Sequence, residues 1–434
     1  MSQYHRIAAI TLITSGAVLA FVFLAIGCNP TTQSTKPATT STDNDGRTCA
    51  SCHTNKDKLT SLARPATPGA ASALYGQPAT VSRADERLLV SQDFLNSTHG
   101  KIACQACHGG RASDDLNSAH QGLVKDPSLE RLDVCAACHK DIVAAYNNAL
   151  HNTLQGQTNA LRARSLDGII PSAIGKSVDQ TCSTCHTTCG QCHVSRPNAG
   201  QGGLLKGHQF VKKPPVQQTC TQCHSTSTAA QDYYGGLSNP GDVHWTRAKL
   251  ECTDCHGKKE LHGEGGTYRD AGEVREMPRC TDCHVSADLS KRVEHNIHRE
   301  KATCYVCHAS TPVNSCSGCH VAADGAATFT RSTAFKIGLN ALPDARHPEK
   351  YATVSHVPVL ADSYSRLGAK LEGFDDVPTW KRTAPHSIQR VTPQNKTCAS
   401  CHGQRKLFLT EDDLKLGDSR ADIKVVVPVV PPRF

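Results

Sequence analysis

The sequence predicts a mainly α chain with much irregular loop, few or no strands, and a core built on bound groups rather than on side chains. Three observations predict it. A five-residue unit, Cys-x-x-Cys-His, recurs eleven times along 434 residues. Between Cys104 and His320 nine of these units share 217 residues, roughly 24 each, whereas a domain with its own side-chain core draws on about 50 or more. Only 38% of residues are hydrophobic and 5% aromatic, so the buried apolar mass has to come from elsewhere.

Cys-x-x-Cys-His is the attachment sequence of c-type haem: two thiols form thioethers at the porphyrin edge, and the imidazole ligates the iron from one face. The units pair Cys49 with Cys52, Cys104 with Cys107, Cys135 with Cys138, Cys182 with Cys185, Cys189 with Cys192, and Cys220 with Cys223. They continue with Cys252 and Cys255, Cys280 and Cys283, Cys304 and Cys307, Cys316 and Cys319, and Cys398 and Cys401. The proximal iron ligands are then His53, His108, His139, His186, His193, His224, His256, His284, His308, His320 and His402. Together the units use 22 of the 23 cysteines and leave Cys28. Zinc ribbons and thioredoxin-like sites also use Cys-x-x-Cys, but neither requires a histidine directly after the second cysteine. All eleven units have it, which sets zinc and thiol redox chemistry aside, and no cysteines remain to form disulfides. Residues 182–193 hold two units with only Thr187 and Thr188 between them, so two porphyrins must lie there almost in contact.

The second axial ligand is a matter of counting. Apart from the eleven proximal histidines and His5 in the leader, the chain has His99, His120, His151, His208, His244, His262, His295, His298, His347, His356 and His386. Eleven irons face eleven candidate distal ligands. Apart from Met1 the only methionine is Met277, and axial methionine raises a haem potential relative to nitrogen ligation, so an all-histidine set implies low potentials.

In chain order, residues 1–27 read as an export signal: a short polar start with Arg6, then an apolar run from Ile7 to Gly27. The run ends Leu24-Ala-Ile-Gly-Cys28, similar to a bacterial lipoprotein cleavage box with Cys28 as the lipidated residue, although Ala25 stands where leucine is more usual. An uncleaved membrane anchor is the alternative, since 21 apolar residues are long enough to span. The lipoprotein reading is preferred because Cys28 has no other role. Either way the rest of the chain is exported. Residues 28–48, rich in Thr, Ser and Pro, read as a flexible tether.

The main multihaem region is assigned to 49–325, with ten units. Ala63 to Thr80 reads as loop. Asp85 to Thr98 reads as a helix stopped at Gly100, delivering His99 shortly before Cys104. Ile142, Tyr146 and Leu150 form a helical stripe from Cys138 to His151. Twelve residues of helix span roughly 18 Å, so His139 and His151 cannot clamp one iron and should serve different haems. His295 and His298 share one helix face, so they serve two haems or one is spare.

Residues 326–434 are assigned to a loop-rich C-terminal region. Pro343, Pro348, Pro358, Pro378 and Pro385 favour an irregular connection that packs back over the haems and supplies His347, His356 and His386. The eleventh unit, Cys398 to His402, is expected apart from the main cluster. The tail from Ile423 to Phe434 has too many prolines for a central strand and reads as an edge strand or an extended arm wrapping its own protein.

The formal charge of +8 does not mark a nucleic-acid surface. Each haem adds two propionates against one net positive charge at an oxidised iron. With the leader removed, the estimate falls to about −4 oxidised and about −15 reduced. The basic residues are better explained as propionate partners. No patterned basic helix, aromatic stacking motif or phosphate-binding glycine loop is present, and nucleic acid is excluded as a partner.

These motifs, spread over residues 49–402, resemble those of multihaem c-type cytochromes. The chain is similar to an eleven-haem member of the broad class of periplasmic and outer-surface electron carriers of anaerobic bacteria. The resemblance implies a haem-cored multihaem cytochrome c fold with eleven covalent haem c groups. It also implies stacked haem pairs forming a continuous electron path, with tight pairs at 182–193 and 304–320. The implied partners are redox protein donors and acceptors, an extracellular metal oxide or other insoluble acceptor, the membrane through the lipid anchor, and further copies in a filament. The implied place is the periplasm or the outer membrane, including the cell surface.

Two functional classes follow. One is an electron conduit with every iron six-coordinate and no catalytic residue. The other is a multihaem reductase or oxidase of a small nitrogen or sulfur compound, with one open-face iron. Nitrite-reducing relatives often replace the motif histidine of that haem by lysine, and no unit here does so. Hydroxylamine-oxidising relatives crosslink a tyrosine to it, and nothing singles out Tyr146, Tyr233, Tyr234, Tyr268 or Tyr305. The ligand count leaves no iron short and favours the conduit.

Overall fold

Each described Cys-x-x-Cys-His unit contains about one turn of helix. Cys104–His108, Cys189–His193 and Cys304–His308 are complete α turns. Cys220–Cys223, Cys252–Cys255 and Cys280–Cys283 stop at the second cysteine. Asp45–His53 and Leu132–Tyr146 are longer helices carrying a unit, and Cys398–Ser400 is a 3-10 turn. Residues at i, i+3 and i+4 share a helix face, so such a turn directs two thiols and an imidazole the same way. The local fold is what the spacing needs.

The computed structural model describes residues 45–62, 84–181, 187–200, 202–224, 229–236, 240–310, 334–357 and 359–433. The export signal, Cys28, most of the tether, the loop from Ala63 to Thr80, and the units Cys182–His186 and Cys316–His320 lie outside the described residues. All that is described belongs to one compact unit, Asn44–Phe434. It is predominantly helical, in short pieces joined by irregular loop, with one small sheet. Among the described residues no helix is long and apolar enough to cross a membrane.

The expected helix from Asp85 to Thr98 is two pieces, Ala84–Leu88 and Gln92–Asn96. The break is at Ser91, whose hydroxyl caps the second helix by accepting from Phe94 N. Ser91 N–H meanwhile donates to Gly207 O at 2.9 Å. Gly207 has φ +64°, and a Cβ there would come within 2.7 Å of Ser91 Cβ, so this approach requires glycine. The helix carrying His139 is likewise not straight: it kinks at His139 (φ −111°, ψ 40°), ends at Tyr146, and His151 sits on a separate turn, Leu150–Thr153.

The C-terminal region is more ordered than its prolines suggest. Lys336–Leu339 (β1), Tyr351–His356 (β2) and Trp380–Arg382 (β3) form an antiparallel sheet in the order β1-β2-β3. Its two interfaces set Ile337 opposite Thr353 and His356 opposite Trp380. The prolines fall outside the strands, where they take nothing from the ladder. Val354, Trp380, Leu409, Val425 and Val426 pack on this sheet, and Val306, Ile337, Phe408 and Val427 form a second cluster. A third small cluster joins Ile174, Leu371 and Phe374.

The tail wraps its own protein as expected, but its first part is a 3-10 turn, Arg420–Lys424, not a strand. Leu339 N–H donates to Val425 O, Val427 N–H to Leu409 O, and Gly403 N–H to Pro431 O. The eleventh unit is not set apart. Cys401 packs with Cys307 on the second cluster, under the tail.

Candidate metal centres

Nine proximal histidines have the ring of a candidate distal histidine opposite them. The ring centres lie 6.3 Å apart for His53 and His120, 6.2 Å for His139 and His99, and 5.9 Å for His108 and His208. They are 6.4 Å apart for His224 and His151, 6.0 Å for His193 and His262, and 6.1 Å for His284 and His244. The last three are His256 with His386 at 6.1 Å, His308 with His295 at 6.0 Å, and His402 with His298 at 6.2 Å. An imidazole nitrogen sits about 2.0–2.1 Å from a first-row metal and about 1.1 Å from its own ring centre, so two rings bridged by one metal are about 6.3 Å apart. Nine independent pairs fall within a few tenths of that value.

The hydrogen bonds select the ligating nitrogen. Among proximal rings, His108 Nδ1 donates to Val124 O at 2.9 Å, His193 Nδ1 to Val211 O at 2.6 Å, and His308 Nδ1 to Gln389 O at 3.1 Å. His53 Nδ1 and His402 Nδ1 use Leu88 O and Pro432 O, both at 3.2 Å. Distal rings do the same: His120 to Leu116 O, His295 to Leu289 O, and His298 to Glu294 O. Such a bond fixes the tautomer with Nε2 left to ligate. Two rings are held by carboxylates instead. Asp242 Oδ1 accepts from His244 Nδ1 at 2.8 Å, and both Glu260 oxygens lie within 2.9 Å of His256 Nδ1. At the other extreme, His208 Nδ1 and His262 Nδ1 are buried with no hydrogen-bond partner.

Burial, followed by the facing His224, pushes His151 down to about 4, and burial with His108 does the same to His208. Both rings are therefore neutral at pH 7 and hold a lone pair ready. The hydrogen bond to Asp242 raises His244 above its ordinary value.

The pairs line one connected cavity of about 3880 Å3, which reaches from Thr48 to Pro431 and includes both cysteines of all nine units. A pocket for one small molecule is about 300–1,000 Å3, so this cavity has room for several large groups. Thiols of units successive among the described ones are neighbours along it: Cys49 with Cys104, Cys107 with Cys135, Cys135 with Cys189, and Cys192 with Cys220. The series continues with Cys220 and Cys252, Cys255 and Cys283, Cys280 and Cys304, and Cys307 and Cys401. The nine units thus stand in file in sequence order. None of the 18 described cysteines is in a disulfide.

The surroundings explain how distant segments reach the file. Thr188 caps the turn Cys189–His193, and Ser128 ties Thr188 Oγ1 (2.7 Å) and Gly190 N (2.8 Å) to the preceding helices. Tyr146 Oη donates to Thr187 O at 2.5 Å, and burial pushes its pKa up. His386 is delivered by a strap: Val243 N–H donates to Ile388 O, Gln389 N–H to His308 O, and Ile388 N–H to Asp242 Oδ2. His295 and His298, on one short helix Val293–His298, lie opposite two different proximal histidines, His308 and His402.

Two candidate distal ligands are not brought to a described proximal histidine. His347 has its N–H on Asp344 Oδ1, and its ring pairs with no histidine among the described residues. His356 is the clear departure. Both its nitrogens are engaged, Nδ1 with Val357 O at 2.6 Å and Nε2 with Asp418 Oδ1 at 3.0 Å, and its ring stands edge-on to Trp380. The physical reason is the strand: β2 turns His356 into the side-chain core beneath the tail. His356, Asp418 and Asp422 bring donor atoms within 4.8 Å of one another. However, Asp422 already accepts from Thr379 N, Thr379 Oγ1 and Trp380 N, which makes the group a hydrogen-bonded lock.

Sequence reasoning missed Asp242 and Glu260. Their signals were visible: an aspartate two residues before His244, and a glutamate one helical turn after His256. The backbone acceptors Leu88, Val124, Val211, Gln389 and Pro432 had none, since any residue supplies a carbonyl. No protein-family model, no curated protein and no solved structure matches this chain.

Proposed function

We propose that this chain is a multihaem c-type cytochrome that carries electrons along a file of low-potential centres. The observation that carries the reading is the nine-fold recurrence of one ring-to-ring distance, each time between a Cys-x-x-Cys-His histidine and a histidine from elsewhere in the chain. Bound at such a site, c-type haem supplies a one-electron iron couple.

The chain's own residues do the rest. Paired cysteines fix each group covalently, so it is not lost on reduction. Facing imidazoles take both sides of each of the nine irons, which leaves them electron transfer and no substrate chemistry. Nitrogen ligation without methionine keeps the potentials low. Backbone carbonyls on Nδ1 hold ring orientation through a change of charge, and so limit reorganisation. The short helical turns place one unit beside the next, giving a path that follows the sequence. In this proposal residues 1–27 direct export and Cys28 carries a lipid. Donors would then be periplasmic or membrane redox proteins, and the acceptor would lie at or beyond the outer surface.

The test has two parts. A pyridine haemochrome assay with intact mass should give eleven thioether-bound haems per exported chain. The reduced protein should pass electrons to a protein acceptor or to a metal oxide without consuming nitrite, hydroxylamine or tetrathionate. A chain without covalent haem, or steady turnover of one of those compounds, would sink the proposal.

A further inference from the structure

The nine ring pairs differ in what holds the nitrogen that does not ligate, and the differences fall in two blocks along the file. In the N-terminal block, His262 Nδ1 and His208 Nδ1 are enclosed by protein. Among the described residues His262 Nδ1 has no hydrogen-bond partner, and His208 Nδ1 has none beyond its own backbone. Phe94 packs on the His208 ring at 4.4 Å, and Tyr146 stands edge-on to His262 at 6.4 Å. The Lys258 ammonium also acts on His262.

The units at Cys252 and Cys280 are held the opposite way. Asp242, 2% exposed, accepts from His244 Nδ1 at 2.8 Å, and its Oδ2 accepts from Ile388 N–H on the strap that carries His386. Glu260, with a side chain 8% exposed, accepts from His256 Nδ1 at 2.8 Å. A carboxylate on Nδ1 makes the imidazole a stronger donor and favours ferric iron. A ring without an acceptor is a weaker donor, and apolar burial or a nearby cation adds to its preference for the less positive ferrous state. Beyond this pair, both rings of the Cys304 and Cys398 units rest on backbone carbonyls, an intermediate case.

We infer that the file is polarised: the centres of the Cys104 and Cys189 units hold electrons most tightly, and those of the Cys252 and Cys280 units least. The inference rests on the haem reading proposed above. Electrons then collect on the N-terminal stretch and reach the Cys304 and Cys398 units only over the carboxylate-held pair, once the N-terminal stretch is filled. Asp242 and Glu260 act through the ligand rings and are positioning residues.

The experiment uses the exported, fully loaded protein and reads the order of reduction, not turnover. Covalent haem is counted first; its absence would overturn the haem reading and this inference with it. In the oxidised protein, His208→Ala, His262→Ala, His244→Ala and His386→Ala should each remove one low-spin electron paramagnetic resonance signal, which assigns four centres. In a stepwise reductive titration of the unmodified protein, the signals assigned to His208 and His262 should be mostly lost before those assigned to His244 and His386 begin to fall. With haem present, the reverse order, or loss of all four together, would overturn the inference alone. If an alanine variant does not load, Asp242→Asn and Glu260→Gln decide. Each should move part of the late titration toward the early part and leave the early part in place. Movement of the early part instead would overturn the inference.

Discussion

His298 and His402 face one another across 6.2 Å, although one lies in the middle of the chain and the other in its last Cys-x-x-Cys-His unit. Each ring is aimed by its own backbone: His298 Nδ1 donates to Glu294 O one turn earlier, and His402 Nδ1 to Pro432 O in the tail. The eleventh unit is thereby stapled to the end of the file from two directions.

On the haem reading proposed above, replacing His298 should strip one face from the iron bound by this pair and nothing else. We expect His298→Ala to add one high-spin haem and one bound carbon monoxide per chain, and added imidazole to restore the low-spin signal. An unchanged spectrum would mean that the pair does not share an iron.

The carboxylates on His244 and His256 should set the lowest potentials in the file. A carboxylate on Nδ1 makes the imidazole a stronger donor and favours ferric iron. Both act on adjacent units, since Cys255 neighbours Cys283. Asp242→Asn and Glu260→Gln should each raise one midpoint in a spectroelectrochemical titration and leave the others in place. A uniform shift of all midpoints would point to a general loss of structure.

The lock beneath the tail should matter to stability. Asp422 is fully buried and accepts three hydrogen bonds from Thr379 and Trp380. Asp422→Ala leaves those donors unsatisfied, at a cost of about 3 kcal/mol. Amide exchange at Leu409 and Val427, which link the tail to the sheet, should accelerate about a hundredfold. Exchange at the Cys-x-x-Cys-His turns should change less.

Crowding offers a complementary test. A Cβ on Gly338 would meet Val354 Cγ2 at 2.6 Å and Val425 Cγ1 at 3.0 Å. Gly338→Ala should therefore destabilise the sheet by about 1–3 kcal/mol, read as a lower denaturant midpoint for tail release.

Acid should weaken the fold before it reaches the carboxylates. His151 and His208 fall from an ordinary 6.5 to about 4 in the fold, so the unfolded chain binds more protons between those values. The stability they contribute is whole above about 6.5 and is lost progressively as pH falls toward 4; bonding to iron extends the loss lower. His244, raised by Asp242, works in the opposite sense, its contribution being present in acid and lost as pH rises. Burial also lowers His99, His224, His262, His347 and His386, so seven rings oppose one and the melting temperature should fall below pH 6.5. A rise toward pH 5 would contradict this.

Much of the site was legible because its chemistry is local. Five residues put both thiols and the imidazole on one helical turn, a pattern visible in any stretch that holds it. His139 and His151 do face different histidines, although the straight helix expected between them is broken at His139 and after Tyr146. The sheet was not legible. Lys336–Leu339 and Trp380–Arg382 are too short to show alternation, and the prolines around them read as loop. The kink at His139 and the break at Ser91 depend on packing that local propensity does not record.

What the sequence supplied by itself is the run of eleven Cys-x-x-Cys-His units, from which the haem reading is proposed, and a pool of eleven candidate partners, because each is a property of residue type and spacing. Only the tertiary structure decided which histidine faces which, that the nine described units stand in file, and that His356 is held by Val357 and Asp418 in the side-chain core. Those are contacts between residues far apart in the chain. They are selected by how strands and turns bury together, which no short stretch of sequence contains.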